Sequence, residues 1–253
     1  DLKWTFERRL QASNLQPVVL NLTKRCNNAC MFCRVRDPNV ADGMLEDLAA
    51  TLAQKREQGA TSVDLGGAEP TLHPDLVKLI RYSRKIGYTE VRLTTNGRMC
   101  AYESYAKILV NSGVTSLFIS LHGADEATHG HLVGDSDAFS QTVEGIKHCI
   151  AHKPDSLELG INVTLTNTNV EVMSEHFEFI FKLGIERINL LFLKPFGEQT
   201  FELEPEVHHT VENVAALMEA WEGRVDCRVF NLPPNLMPSL NKKSRALQAE
   251  ERG

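Results

Sequence analysis

Ser62-Val63-Asp64-Leu65-Gly66-Gly67-Ala68-Glu69-Pro70 runs into Thr71-Leu72-His73-Pro74 and then into Leu76, Leu79 and Ile80, with Asp75, Lys78 and Arg81 interleaved. Residues 62–65 read as a short strand and the glycine pair as a tight turn. The apolar spacing i, i+3, i+4 marks one face of an amphipathic helix. Pro74 suits a first helical turn and Gly87 a helix stop. The segment is thus one strand, one turn and one helix, and the chain repeats that unit. Strand-like runs fall at residues 18–22, 62–65, 90–94, 116–121, 157–165 and 187–193. Helical spacing occupies 44–58, 73–86, 102–112, 139–152 and 170–183, and Gly59, Gly113 and Gly184 mark further stops.

Six β-α repeats in succession predict a parallel sheet with right-handed crossovers. Near-continuous apolar strands such as residues 188–193 suit a sheet covered by helices on its outer face. Pattern alone leaves a doubly wound sheet and a barrel open. The residues with chemical character sit at or just beyond strand carboxyl ends, where a β/α barrel carries its site.

The 253 residues carry a net charge of −6, 42% hydrophobic and 24% charged residues. No apolar run approaches the ~20 residues of a membrane span, and the first residues lack the apolar core of a signal peptide. No long basic stripe is present, which disfavours nucleic acid as substrate. The six cysteines are too unevenly placed for a disulfide framework. Cys100, Cys149 and Cys227 read as buried small hydrophobes, and a reducing cytoplasm suits both these and the clustered thiols.

The other three cysteines stand in Cys26-Asn-Asn-Ala-Cys30-Met-Phe-Cys33, directly after the first strand. A structural zinc site needs four closed ligands, and an ordinary [4Fe–4S] cluster takes four cysteines. Three thiolates at this spacing either await a distant fourth ligand or leave one metal position open. The run resembles the signature of the radical SAM superfamily, in which S-adenosylmethionine (SAM) occupies the open iron. Phe32, just before the last cysteine, matches that pattern, and Lys24 and Arg25 offer positive charge nearby.

Further segments carry the same resemblance. Gly66, Gly67 and Glu69 match the family's GGxEP motif, which holds the amino group of SAM; two glycines also permit close backbone approach. His73 reads as a helix-start residue. Thr94-Thr95-Asn96-Gly97 matches a TNG segment beside the cofactor, although Asn-Gly is equally a turn former. Ser120-Leu-His122-Gly123, followed by His129, Gly134 and Phe139–Thr142, resembles members that modify peptides or specialised metabolites. By that resemblance Ser120 contacts the carboxylate or ribose of SAM, while His122 either reaches the substrate space or caps its strand. His129 and His131 show no metal-ligand pattern. Asn162 is polar inside an apolar strand and either meets the SAM ribose or points outward. Leu193 borders adenine, and Lys194 is a candidate anion contact at the barrel mouth.

The resemblance implies a partial (β/α)6 TIM-type barrel over residues 17–201, after an N-terminal extension at 1–16 and before a C-terminal capping extension at 202–253. That extension should hold a helix at 207–221, a short strand at 224–229 and a Pro233–Pro234 loop. The implied cofactors are a [4Fe–4S] cluster on Cys26, Cys30 and Cys33, and SAM. The implied partners are a small-molecule or peptide substrate and a flavodoxin- or ferredoxin-type electron donor. Residues 150–253 hold Cys227 alone, so that stretch cannot itself build an auxiliary cluster, and Cys100, Cys149 and Cys227 are the thiols available for hydrogen donation. Two other readings compete: a zinc-dependent β/α-barrel hydrolase with a structural cysteine site, and a non-catalytic Fe–S electron-transfer module.

Overall fold

A computed structural model describes residues 17–196 and 198–232. Residues 1–16, the Pro233–Pro234 loop and the polar tail lie outside the described residues. Seven strands form one sheet in sequential order: β1 (Val18–Thr23), β2 (Ser62–Gly67), β3 (Glu90–Thr95), β4 (Ser116–Ser120), β5 (Glu158–Leu165), β6 (Arg187–Phe192) and β7 (Asp226–Phe230). Every neighbouring pair is parallel. The intervening helices are α1 (Leu45–Glu57), α2 (Leu76–Lys85), α3 (Glu103–Val110), α4 (Glu126–Val133), α5 (Ala138–His152), α6 (Met173–Lys182), α7 (Glu198–Phe201) and α8 (Val207–Ala220).

Sequential order with crossovers of one hand places the helices on one face, and the sheet curls toward the other as a partial barrel with β1 and β7 at its edges. Side chains alternate accordingly. Val63, Leu65, Val91, Leu93, Leu117, Ile119, Ile161, Val163, Ile188 and Leu190 are at most 1% exposed and form the core under the helices. Their alternates line the concave face, and besides Phe118, Leu191 and two glycines they include the polar Asp64, Arg92, Ser120, Asn162, Asn189 and Arg228. The strands are therefore less uniformly apolar than a sheet covered on both faces, because the inner face is left for other chemistry.

Two helices begin later than the sequence expectation: α2, and α6, which starts at Met173 after a 3-10 turn at Val170–Val172. A 3-10 turn at Pro70–Leu72 follows the glycine turn, and α2 starts at Leu76 instead of residue 73. His73 sits before it as a buried brace: its Nδ1 accepts the Asp75 N–H at 3.1 Å, so Nε2 donates to the Gly43 carbonyl at 2.9 Å. α4 was not expected as a helix; its eight residues interrupt the β4–α5 connection. The extension after residue 201 contributes a further unit. α8 buries Val211, Val214 and Leu217, Trp221 packs edge-on to Phe177 and Phe181 of α6, and β7 joins β6 as the seventh parallel strand.

Candidate active site

The cysteine loop leaves β1 at its carboxyl end and lies over the rim of the barrel. Its thiols Cys26, Cys30 and Cys33 are all free and half-buried. Burial, then repulsion from Cys26 and Cys33, pushes the Cys30 thiol up to about 12, and burial also raises Cys26. A cation bound among them would reverse both effects, because coordinated thiols are deprotonated. The donor set, three cysteine thiolates on one loop, fits an iron–sulfur cubane, which takes each thiolate on a separate iron.

Two devices hold this loop. α4 opens with Asp125 accepting the Thr128 N–H at 2.7 Å and closes on Gly134 at φ 69°. Its last carbonyls, Leu132 and Val133, accept the N–H groups of Met31 and Ala29 at 3.0 and 2.8 Å, so helix-end acceptors that would otherwise be orphaned anchor the loop. Gly134 packs so closely that a Cβ there would lie 2.9 Å from the Ala29 carbonyl oxygen. Arg98 supplies the second device. Its guanidinium, 10% exposed, bonds the Asn27 carbonyl, Asn28 Oδ1 at 2.8 Å, Asp135 at 2.8 Å and Gln141 at 2.8 Å. Asn28 N–H in turn donates to Cys26 Sγ at 3.3 Å. Arg98 and Asp135 escaped the sequence reading because their partners are 37 to 71 positions away. Arg25 turns toward Asp42 and the Leu72 carbonyl, fixing the base of the loop.

Beside the loop, the glycine pair divides two tasks. Gly67 has φ 121°, and a Cβ there would lie 2.2 Å from the Thr23 carbonyl oxygen, so it joins β2 to β1. Gly66 faces the concave side, where an added Cβ meets only Asn21 Oδ1 at 3.8 Å. That position is an open cradle of the kind a bound small molecule fills, and the residues present therefore fit SAM at this edge.

Glu69 is 1% exposed, and its carboxylate is already engaged. Oε1 accepts Thr71 N–H at 3.0 Å, Thr71 Oγ1 at 2.5 Å and Thr95 Oγ1 at 2.6 Å; Oε2 accepts Asn96 N–H at 2.7 Å. Thr95 Oγ1 also accepts the Gly97 N–H, which leaves its proton for Glu69. Glu69 thus ties β2 to β3, with Oε2 alone retaining room for a further donor. Burial pushes its carboxyl up against the opposing pull of these bonds. Asn96 Nδ2 reaches Asn27 Oδ1 at 2.6 Å and lies 3.8 Å from Cys26 Sγ, so the turn former is also a cluster-loop contact.

Across the concave face, Ser120, Asn162, Asn189 and Arg228 are successive register partners in one row. Asn162 therefore faces inward, and its Oδ1 accepts Asn189 Nδ2 at 2.9 Å. Phe32 packs edge-on to His122 at 4.9 Å. His122 Nδ1 accepts the Thr164 N–H, and the His122 backbone N–H donates to His129 Nδ1, so the two rings brace strand ends. Leu193, half-buried, and Lys194, exposed, follow β6 at the rim. Cys227 pairs with Ile188 and packs toward the helices, and Cys100 and Cys149 are fully buried in the core. None of these three thiols lines the concave face.

A fold with a three-cysteine loop at the mouth of a parallel half-barrel defines a class of enzymes, and comparison with known proteins identifies it. Residues 20–180 match the family model of the Radical SAM superfamily, and the chain belongs to that superfamily. It is 29% identical over 225 residues to a probable GTP 3′,8-cyclase of Sulfurisphaera tokodaii, covering 87% of this chain and 69% of the relative. It is 32% identical over 185 residues to the probable GTP 3′,8-cyclase of Saccharolobus solfataricus, covering 72% and 58%. Among solved structures it resembles SuiB of Streptococcus suis bound to its precursor peptide SuiA, with TM-score 0.71 at 20% identity. It also resembles anSMEcpe with bound AdoMet, with TM-score 0.69 at 18% identity. The chain spans about half the length of SuiB and 63% of anSMEcpe.

Proposed function

We propose that this enzyme uses a [4Fe–4S] cluster on Cys26, Cys30 and Cys33 together with SAM to abstract hydrogen from a small metabolite or a peptide side chain. When bound, that pair supplies a 5′-deoxyadenosyl radical by one-electron cleavage of the S–C5′ bond. The observation that carries the reading is the adjacency of a three-cysteine loop, with no fourth cysteine beside it among the described residues, to the open concave cradle at Gly66. The protein's share is binding, orientation and exclusion of water. Gly66 leaves room for the methionyl end. Ser120 and Asn162 offer polar contacts along the sheet, and Phe32 and Leu193 offer apolar walls. Glu69 keeps β2 and β3 in register beneath them.

A small, charged substrate has the stronger support. Relatives near 30% identity are named for a reaction of GTP, whereas the peptide-bound neighbour at 20% identity speaks for the fold alone. GTP is therefore the first compound to assay. A flavodoxin- or ferredoxin-type protein in a reducing cytoplasm would supply the electron.

Anaerobic purification tests the reading. The expected result is a brown protein with about four irons per chain that releases 5′-deoxyadenosine on addition of SAM and dithionite. An iron-free, zinc-loaded protein after reconstitution would sink it.

A further inference from the structure

Arg228 and Asn189 occupy neighbouring positions on the concave face, in register on β7 and β6. Each has a buried polar atom without a hydrogen-bond partner among the described residues: Arg228 Nε and Asn189 Oδ1. Asn189 is 7% exposed and its amide is fixed by Asn162, so Oδ1 cannot turn away to find another donor. Charge points the same way. On this side of the barrel, Arg187 holds Asp226 at 2.7 Å and Glu158 at 2.8 Å, whereas Arg228 reaches Asp226 only at 3.6 Å. The Asp226 carboxylate is thus shared, with Arg187 its nearer partner, and Arg228 Nε faces no acceptor among the described residues. An unpaired buried donor and an unpaired buried acceptor each carry an uncompensated desolvation cost, which a ligand spanning both would recover.

We infer that Arg228 and Asn189 form a substrate subsite for an anionic group, phosphate or carboxylate, carrying a hydroxyl or N–H donor beside it. The anion accepts from Arg228 Nε and the neighbouring donor satisfies Asn189 Oδ1. The subsite continues the row that starts at Ser120 and Asn162, so it rests on the proposal that SAM lies along that row and the substrate beyond it. Alternation along Asp226-Cys227-Arg228-Val229-Phe230 was the signal in the sequence; the positive residue singled out there, Lys194, sits exposed at the rim instead.

The test uses the full chain, reconstituted anaerobically and loaded with SAM without reductant. Binding of GTP, inorganic triphosphate and succinate is measured by calorimetry for the unaltered protein, Arg228→Ala, Arg228→Lys and Asn189→Asp. Phosphate and carboxylate probes separate the two sources of negative charge. We expect at least one probe to bind, Arg228→Ala to weaken it about tenfold or more, Arg228→Lys to retain part of the affinity, and Asn189→Asp to repel the anion without deleting volume. The inference is overturned if no probe binds the unaltered protein, or if Arg228→Lys and Asn189→Asp bind as it does. Should the unaltered protein release no 5′-deoxyadenosine, the proposed function fails separately, while the binding comparison still decides the subsite.

Discussion

Gly66 and Gly67 are adjacent and chemically identical, yet substitution should separate them. A Cβ at Gly67 would strike the Thr23 carbonyl oxygen from a left-handed backbone conformation, so Gly67→Ala should destabilise the chain by about 3 kcal/mol or more. A Cβ at Gly66 enters open space on the concave face. Gly66→Ala should therefore keep the melting temperature and weaken SAM binding, as equilibrium binding to the reconstituted protein would show. Equal loss of stability in both variants would deny the cradle. The motif was legible because two glycines after a strand constrain the backbone locally. Which glycine serves the fold and which faces the site depends on β1, about forty residues earlier. Glu69 teaches the same lesson: a carboxylate at a strand end reads as a ligand-binding group, and only the fold shows that three donors from two elements occupy Oε1 while Oε2 keeps room for one more.

α4 and the turn after β3 act together on the cysteine loop. α4 was hard to read because its apolar positions do not gather on one side: Leu132 and Val133 are buried beside Gly130 and His129. A buried helix need not be amphipathic. Its position is set by hydrogen bonds to the loop and by the Arg98–Asp135 ion pair, features that no local pattern encodes. Arg98→Ala should leave the Asn27 carbonyl, Asn28 Oδ1 and Asp135 Oδ2 without the donor that Arg98 supplies. The expected cost is about 2–4 kcal/mol, with Asp135 partly screened by solvent. The loop should loosen before the sheet does, so iron retained after reconstitution should fall more steeply than the unfolding midpoint of the metal-free chain. Arg98→Lys should recover iron binding only in part, since one ammonium cannot serve four partners on separate segments.

At the scale of the whole molecule, three histidines are buried between the sheet and its helices in the neutral form. Burial lowers His122 well below its usual range, His129 to about 4 and His176 to about 3. Unfolded histidine titrates near 6.5, so below that pH the unfolded chain takes up protons that the folded chain refuses. Stability is complete above about 6.5 and falls toward pH 4, by up to about 1.4 kcal/mol per pH unit for each histidine. Urea unfolding of the metal-free chain at pH 7.5, 6 and 5 measures this slope. Both ring nitrogens of His176 lack a hydrogen-bond partner among the described residues, so His176→Leu should flatten the slope by about one proton and cost nothing at pH 7.5. Among the described residues no helix is long and apolar enough to cross a membrane. The β-α repeat, the superfamily and the three cysteines were determined by the sequence itself, because strand and helix periodicity and the spacing of ligands within one loop are local properties of a chain. The pairing of the extension's short strand with β6 as a seventh parallel strand, the bracing roles of Glu69 and Arg98, and the meeting of Asn189 with Arg228 were decided only by tertiary structure. Each depends on residues far apart in sequence that curling of the parallel sheet brings side by side, and burial there makes every unpaired polar atom consequential.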